Sequence, residues 1–241
     1  MTFGGARFRF RAWRARWRDQ RAELREALRR IRPGDAVADI GANKGAYLYW
    51  MRRAVGDTGK VFAFEPQPAL HAYLGEAASA MGWTNVTVLP FALSDHAGRA
   101  EIHVPGAAGA TSPGASLEPR EGAHAVACTL ETLDRVIPRE TRLTFIKCDV
   151  EGHELAVLRG ARRVLEQHAP AVLVECEARH LAGHAMQDVF AYLRGLGYEG
   201  AFFGERGLEP LAGFDPALHQ RRTGERYWDR PGYFNNFLFT R

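Results

Sequence analysis

The stretch VADIGANKGAYL, residues 37–48, decides the fold. Val37 to Ile40 is an apolar run that carries an acid, Asp39, near its end. Gly41 to Gly45 is a turn, and a helical pattern opens at about Lys44. A strand that turns through glycines straight into a helix lets the backbone pass close to a ligand. It also aims the unpaired N–H groups of the helix start at a carboxylate or phosphate. The spacing Gly41-Ala42-Asn43-Lys44-Gly45 is not the three-glycine dinucleotide pattern, so a glycine turn with no ligand stays open at this point.

Working outward, the chain repeats the same grammar. AVADI, KVFAFEP, VTVLPFAL, LTFIKCDV and AVLVECEA are short and apolar almost throughout. Helical patterns such as PALHAYLGEAASAMG, HELAVLRGARRVLEQH and MQDVFAYLRGLG stand between them. Strands with no polar face, joined by crossover helices, predict a parallel sheet covered on both sides, a doubly wound Rossmann-like α/β domain. Two places break the alternation. AEIHVP and AVACTL flank a stretch rich in Gly, Ala, Pro and Ser, which predicts a strand pair and a loop, 106–122, over the ligand side. YEGAFFGE and NNFLFTR have no helical pattern between them and should pair antiparallel at the sheet edge.

The formal net charge of +4 is unevenly placed. Residues 1–32 hold eleven arginines against Asp19, Glu23 and Glu26, leaving residues 33–241 mildly acidic. Large apolar residues at Phe10, Trp13, Trp17, Leu24, Leu28 and Ile31 fall near helical spacing, which predicts a basic amphipathic helix ended by Pro33-Gly34. The expected organisation is therefore an arm, 1–32, and one domain, 33–241. No apolar run approaches the roughly 18 residues a membrane span needs, and no secretory leader is recognisable, so a cytoplasmic protein is expected. Cys128, Cys148 and Cys176 form no close pair and read as buried thiols.

A second strand end sharpens the site. VFAFEP places Glu65 twenty residues after Gly45, where an acid can accept hydrogen bonds from both ribose hydroxyls. Acid, glycine turn, second acid and a C-terminal antiparallel pair fit S-adenosylmethionine better than a dinucleotide, because Asn43 replaces the middle glycine. The segments DIGANKGAY, FEPQP, NVTVLPFALSDHAG, TLETLD, IKCDVEGHELAVLRGA and PAVLVE, with a late YFNNFLF, occur in an order that resembles FkbM-type S-adenosylmethionine-dependent methyltransferases. That resemblance implies that Asp39, Gly41, Asn43 and Gly45 line the methionine end of the cofactor. It also implies that Glu65 holds the ribose and that Phe91 and Ala92 lie beside the adenine. It covers about Asp35 to Arg179, so the arm and the loop 106–122 lie outside it.

The acids of IKCDVEGHE separate by position. Strand alternation puts Phe145, Lys147 and Asp149 on one face, and a lysine inside a parallel strand needs an acid partner, expected among Asp39, Glu175 and Glu177. Asp149 leaves the carboxyl end of its strand and is the expected proton acceptor, and it also counts with the cofactor-binding residues. Lys147 and Glu151 join it as catalytic candidates, while His153 and Glu154 read as helix-entry residues. Asp149, Glu151, Glu175 and His180 could together suit Mg²⁺ or Mn²⁺, although the spacing is not diagnostic and a metal is not the favoured expectation. Tyr47, Tyr49 and Trp50 either wall the pocket or pack the first helix.

The resemblance implies O-methylation of a small-molecule or sugar hydroxyl. The alternatives are a nucleic-acid methyltransferase using the basic arm, a non-catalytic cofactor-binding relative, and an NAD-dependent oxidoreductase, the last disfavoured by Asn43. The arm itself admits packing on its own domain or a second subunit, contact with a membrane surface, or contact with an anionic polymer.

Overall fold

The structure is a computed structural model that describes residues 4–181, 185–227 and 230–241. The arm is not one continuous helix. It runs as α1 (Gly5–Arg14), a π-helical turn over Ala15–Asp19, and α2 (Arg21–Arg30), with Gln20 outside helical geometry between them. There follow β1 (Ala36–Ile40), α3 (Ala46–Val55), β2 (Lys60–Phe64), α4 (Pro68–Ala80), β3 (Val86–Leu89) and β4 (Phe91–Leu93). β5 (Gly98–Pro105), β6 (Ala123–Glu131), the short α5 (Leu133–Val136) and β7 (Leu143–Cys148) come next. The chain closes with α6 (Glu154–Arg159), α7 (Arg162–His168), β8 (Ala171–Glu175), α8 (Met186–Gly195), β9 (Glu199–Gly204), β10 (Gly207–Pro210), α9 (Pro216–His219) and β11 (Asn236–Thr240).

Eight strands form the main sheet in the order β10-β9-β11-β8-β7-β1-β2-β3. β3, β2, β1, β7 and β8 are parallel, and β11 pairs antiparallel with both β8 and β9. The expected antiparallel pair is thus present, but the edge position belongs to β10, a hairpin strand that the polar run after Gly204 did not reveal. Pro90 splits VTVLPFAL into two strands. The second, β4, leaves for a three-stranded sheet with β6 and β5, because a proline cannot donate to the ladder that β3 was following.

Side-chain alternation sorts the core into two layers. Ala38, Ile40, Ile146, Val172 and Phe237 face a cluster that also holds Leu158, Leu165 and Phe190, from α6, α7 and α8. Val37, Val61, Phe145, Leu173 and Leu238 face the other side, with Leu48 and Met51 of α3 and Leu74 of α4. The arm completes that second layer through Phe8, Ala12, Leu24, Ala27 and Ile31, all buried. This corrects the expected apolar stripe: Leu24 and Ile31 face inward, but Phe10, Trp13 and Trp17 are exposed. The π-helical turn and the break at Gln20 change the phase of the two helical pieces, so no single periodic stripe runs through the arm.

From β1 the chain winds to β2 and β3 on one side, then returns to β7 and β8 on the other. The carboxyl ends of β1 and β7 therefore flank the switch point, where open α/β sheets leave a crevice for ligands.

Candidate functional site

At the end of β1 the backbone takes left-handed conformations at Gly41, Asn43 and Gly45. A methyl group added at Gly41 would stand 1.9 Å from the Asp149 carbonyl oxygen, so the first glycine allows the ends of β1 and β7 to touch. One added at Gly45 would meet Leu74 and Phe8 at 2.8 Å, which shows that the arm packs directly on the start of α3. Glu65, at the end of β2, closes the turn: its carboxylate accepts from the Asn43 N–H at 2.8 Å and the Gln67 N–H at 2.9 Å. Burial nevertheless pushes Glu65 up to about 7, more than these two donors lower it.

A cleft opens to solvent beside this turn. Gly41, Asn43 and Glu65 line it from the main sheet, Phe91 and Ala92 from β4, and Asp149 and Glu151 from the end of β7. Asp39, Gly45 and Lys147 stand behind this wall rather than in it. The cleft thus brings seven of the ten sequence-predicted residues onto one surface, and the other three support them.

Lys147 lies opposite Asp39 in the β1–β7 register. Its Nζ donates to Asp149 Oδ2 at 3.1 Å and to the Gly41 carbonyl at 3.0 Å, with Asp39 Oδ1 at 3.9 Å and the Tyr47 ring centroid at 5.4 Å. Among the acids expected to pair with it, Asp39 is the one in reach. The shorter bond is to Asp149, which the strand end turns back over its own lysine. Burial alone would lower the lysine, but Asp149 and Asp39 outweigh it and raise its pKa. Asp39 is pushed up to about 6 by burial, with Lys147 pulling the other way. Asp149 is also raised, first by burial and against the pull of Lys147. Glu175 and Glu177 are engaged elsewhere: Asn235 Nδ2 donates to both, at 2.8 and 3.0 Å, and Tyr233 Oη donates to Glu177 at 2.7 Å.

Glu151, itself left-handed at φ 58, is a junction. Its Oε2 lies 2.7 Å from His180 Nδ1, and its carbonyl accepts from Ser116 Oγ at 2.7 Å and from Arg120 at 2.9 Å. His180 is therefore tied to Glu151, and among the described residues no group of three or more His, Cys, Asp or Glu side chains is arranged to hold a metal ion. Glu154 does serve helix entry: buried, it accepts from the Gly152 N–H at 3.0 Å. His153 is the N-cap residue of α6 but makes no side-chain cap bond. Its Nε2 meets Ser94 Oγ at 2.9 Å, and it lines the cleft.

Several contributors were not among the expected site residues. Gln67 exchanges two hydrogen bonds with the backbone of Ser112, at 2.9 and 3.0 Å, and so holds the loop 106–122 down over the cleft. Ser116 and Arg120 hold the same loop to Glu151. Gln67 lies in FEPQP, and Tyr233 and Asn235 lie in YFNNFLF, but those segments gave no role for any of the three. Tyr47 and Tyr49 are buried against the sheet and Trp50 donates to the Ala12 carbonyl at 2.7 Å, so the last two serve packing of α3 and the arm.

Sheet order, switch point and glycine turn define a Rossmann-like fold of the methyltransferase class. The chain belongs to the FkbM methyltransferase domain family, whose model matches residues 39–199. Among solved structures, an FkbM methyltransferase from Methylobacillus flagellatus is 19% identical with a TM-score of 0.58 over 90% of this chain. This chain spans 46% of that protein's length. A SAM-dependent methyltransferase from Aquifex aeolicus is 14% identical with a TM-score of 0.50, covering 99% of this chain and 98% of the other. At these identities the likeness concerns the fold. No curated protein matches the chain significantly.

Proposed function

We propose that this chain is an S-adenosylmethionine-dependent O-methyltransferase acting on a hydroxyl of a small molecule or sugar. The observation that carries the reading is one cleft lined both by the glycine turn, at Gly41 and Asn43, and by an ionisable carboxylate, Asp149. The residues present fit the cofactor. Asn43 lines the cleft and its buried Oδ1 has no hydrogen-bond partner, and an ammonium group needs such an acceptor. Glu65 is assigned to the ribose hydroxyls, and Phe91 and Ala92 to the apolar wall beside the base, because all three line the same cleft.

When bound, the cofactor supplies a methyl group on a sulfonium, an electrophile that an oxygen can attack. Asp149 is the residue we assign to receive the hydroxyl proton, at Oδ1 or Oδ2, as that oxygen attacks. Its raised pKa makes it a stronger acceptor than a solvated aspartate, and Lys147 keeps it charged and fixed in direction. Glu151 contributes by anchoring the loop that closes the cleft against water. The acceptor enters as a neutral hydroxyl compound, in keeping with a domain whose charge outside the arm is mildly acidic and so repels anionic polymers.

Native mass spectrometry of the purified protein, followed by a screen of hydroxylated sugars and metabolites for methyl mass gain, tests this reading. Bound S-adenosylmethionine and methyl ethers are expected. Co-purified nicotinamide dinucleotide, or methylation found only on nitrogen, would overturn it.

A further inference from the structure

The arm buries one side and leaves an apolar ridge on the other. Phe8, Ala12 and Ala15 are buried, whereas Phe10, Trp13 and Trp17 are 66%, 58% and 53% exposed. At about 100° per residue Phe10 and Trp13 fall about 60° apart, on the side opposite Phe8, and Trp17 in the π-helical turn has its ring 5.6 Å from that of Trp13. Arg9 and Arg16 flank the ridge on one side and Arg7, Arg14 and Arg18 on the other, with Asp19 beside Arg14 at 2.7 Å as the local acid. Nothing in the core needs three large aromatics facing outward, and their exposure opposes the hydrophobic effect.

We propose that this ridge docks the protein on an anionic lipid bilayer, with the aromatic side chains in the interface and the flanking arginines on lipid phosphates. The charge fits: residues 1–32 carry eleven arginines against three acids, while the rest of the chain is net negative, so the excess positive charge lies in the arm that carries the ridge. Indole rings favour the headgroup boundary, where their apolar body and N–H are both accommodated, and arginine stems lie along apolar surface while the guanidinium stays wet. The helix lies flat on the domain, pinned by Phe8 between Tyr49, Tyr73 and Trp83 and by Trp50 donating to Ala12, so it presents its outer face without unfolding. Among the described residues no helix is long and apolar enough to cross a membrane, and attachment is therefore peripheral.

Two other occupants fit less well. A second copy meeting this face through a two-fold axis would bring two arginine sets together. A nucleic acid would use the arginines, but base stacking needs open ring faces. The rings of Trp13 and Trp17 sit 5.6 Å apart, and Arg16 lies over Trp17 at 5.0 Å.

The test is co-sedimentation of the full chain with vesicles of phosphatidylcholine alone and of phosphatidylcholine with about one third phosphatidylglycerol, over a salt series. Binding to the anionic vesicles that weakens with salt is expected. It should fall at least about tenfold in Trp13→Ala/Trp17→Ala, whose melting temperature and cofactor affinity should match the parent. Arg9→Gln/Arg16→Gln should lose the preference for anionic lipid. The proposal is overturned if the parent ignores anionic vesicles or the double tryptophan variant binds like the parent. It is equally overturned if the tryptophan substitutions change oligomeric state, or weaken RNA binding more than vesicle binding.

Discussion

At the scale of single residues, the acids of the site differ by what surrounds each. Glu154 is buried, and burial lifts it from 4.5 to about 7. The folded chain then holds this proton more tightly than the unfolded chain. Its contribution to stability is full below about 4.5 and is lost as pH rises through about 7. Asp39 and Glu65 act in the same direction, toward about 6 and about 7, while Glu177 and Asp95 are lowered and oppose them at acid pH. Glu154→Gln keeps an acceptor for the Gly152 N–H. We expect it to remove on the order of 1–3 kcal/mol of this loss, read as a flatter melting temperature between about pH 4.5 and 7. Lys147→Met leaves the buried Asp39 and the half-buried Asp149 without their counter-charge. A destabilisation of about 3–5 kcal/mol at pH 8 and less at pH 5, where the acids take up protons, should appear in denaturant titrations. Asp149→Asn should keep cofactor affinity within about threefold while turnover falls by a factor of about 100 or more; unchanged turnover would remove Asp149 as the base.

At the scale of elements, the strands and crossover helices were legible because apolar runs and helical periodicity alternate so regularly from β1 to α8. Three departures have local causes. Pro90 diverts β4 to the second sheet, Gln20 breaks the arm, and the Gly160-Ala161 step separates α6 from α7 within a pattern that reads as one helix. The arm's register was misjudged because large aromatics outrank alanines in any apolar pattern, whereas Ala12, Ala15 and Ala27 are what allow the arm to lie close on α3. Phe8→Ala tests that docking. Removing a ring packed among Tyr49, Tyr73 and Trp83 should cost about 3–5 kcal/mol, and weaken cofactor binding through Gly45, measurable by thermal melts and calorimetry. The loop 106–122 is the second element with a test. Gln67→Ala removes both bonds to Ser112, so faster amide exchange in this loop and weaker cofactor retention are expected, with the melting temperature little changed.

At the scale of the whole molecule, the cleft exists because β1 and β7 are neighbours although about a hundred residues separate them in the chain. Gly41→Ala probes that contact directly. A methyl 1.9 Å from the Asp149 carbonyl forces the strand ends apart, and strain at a left-handed position adds to it. We expect loss of cofactor binding and a lower melting temperature, whereas a variant that binds normally would show that the junction is not needed. The same long-range closure gathers Glu177, Tyr233 and Asn235 into one hydrogen-bonded cluster across more than fifty residues of chain.

The sequence by itself determined the doubly wound sheet, the glycine turn and the acids at three strand ends, because strand and helix periodicity and backbone demands are local and are written in neighbouring residues. Only the tertiary structure decided that Lys147 answers Asp149 more closely than Asp39, that Glu151 holds the loop instead of standing free, and which face of the arm looks outward. Those outcomes depend on distances between segments far apart in the chain, and hydrogen bonds and ion pairs lose their strength within a few ångströms, so composition and spacing carry no record of them.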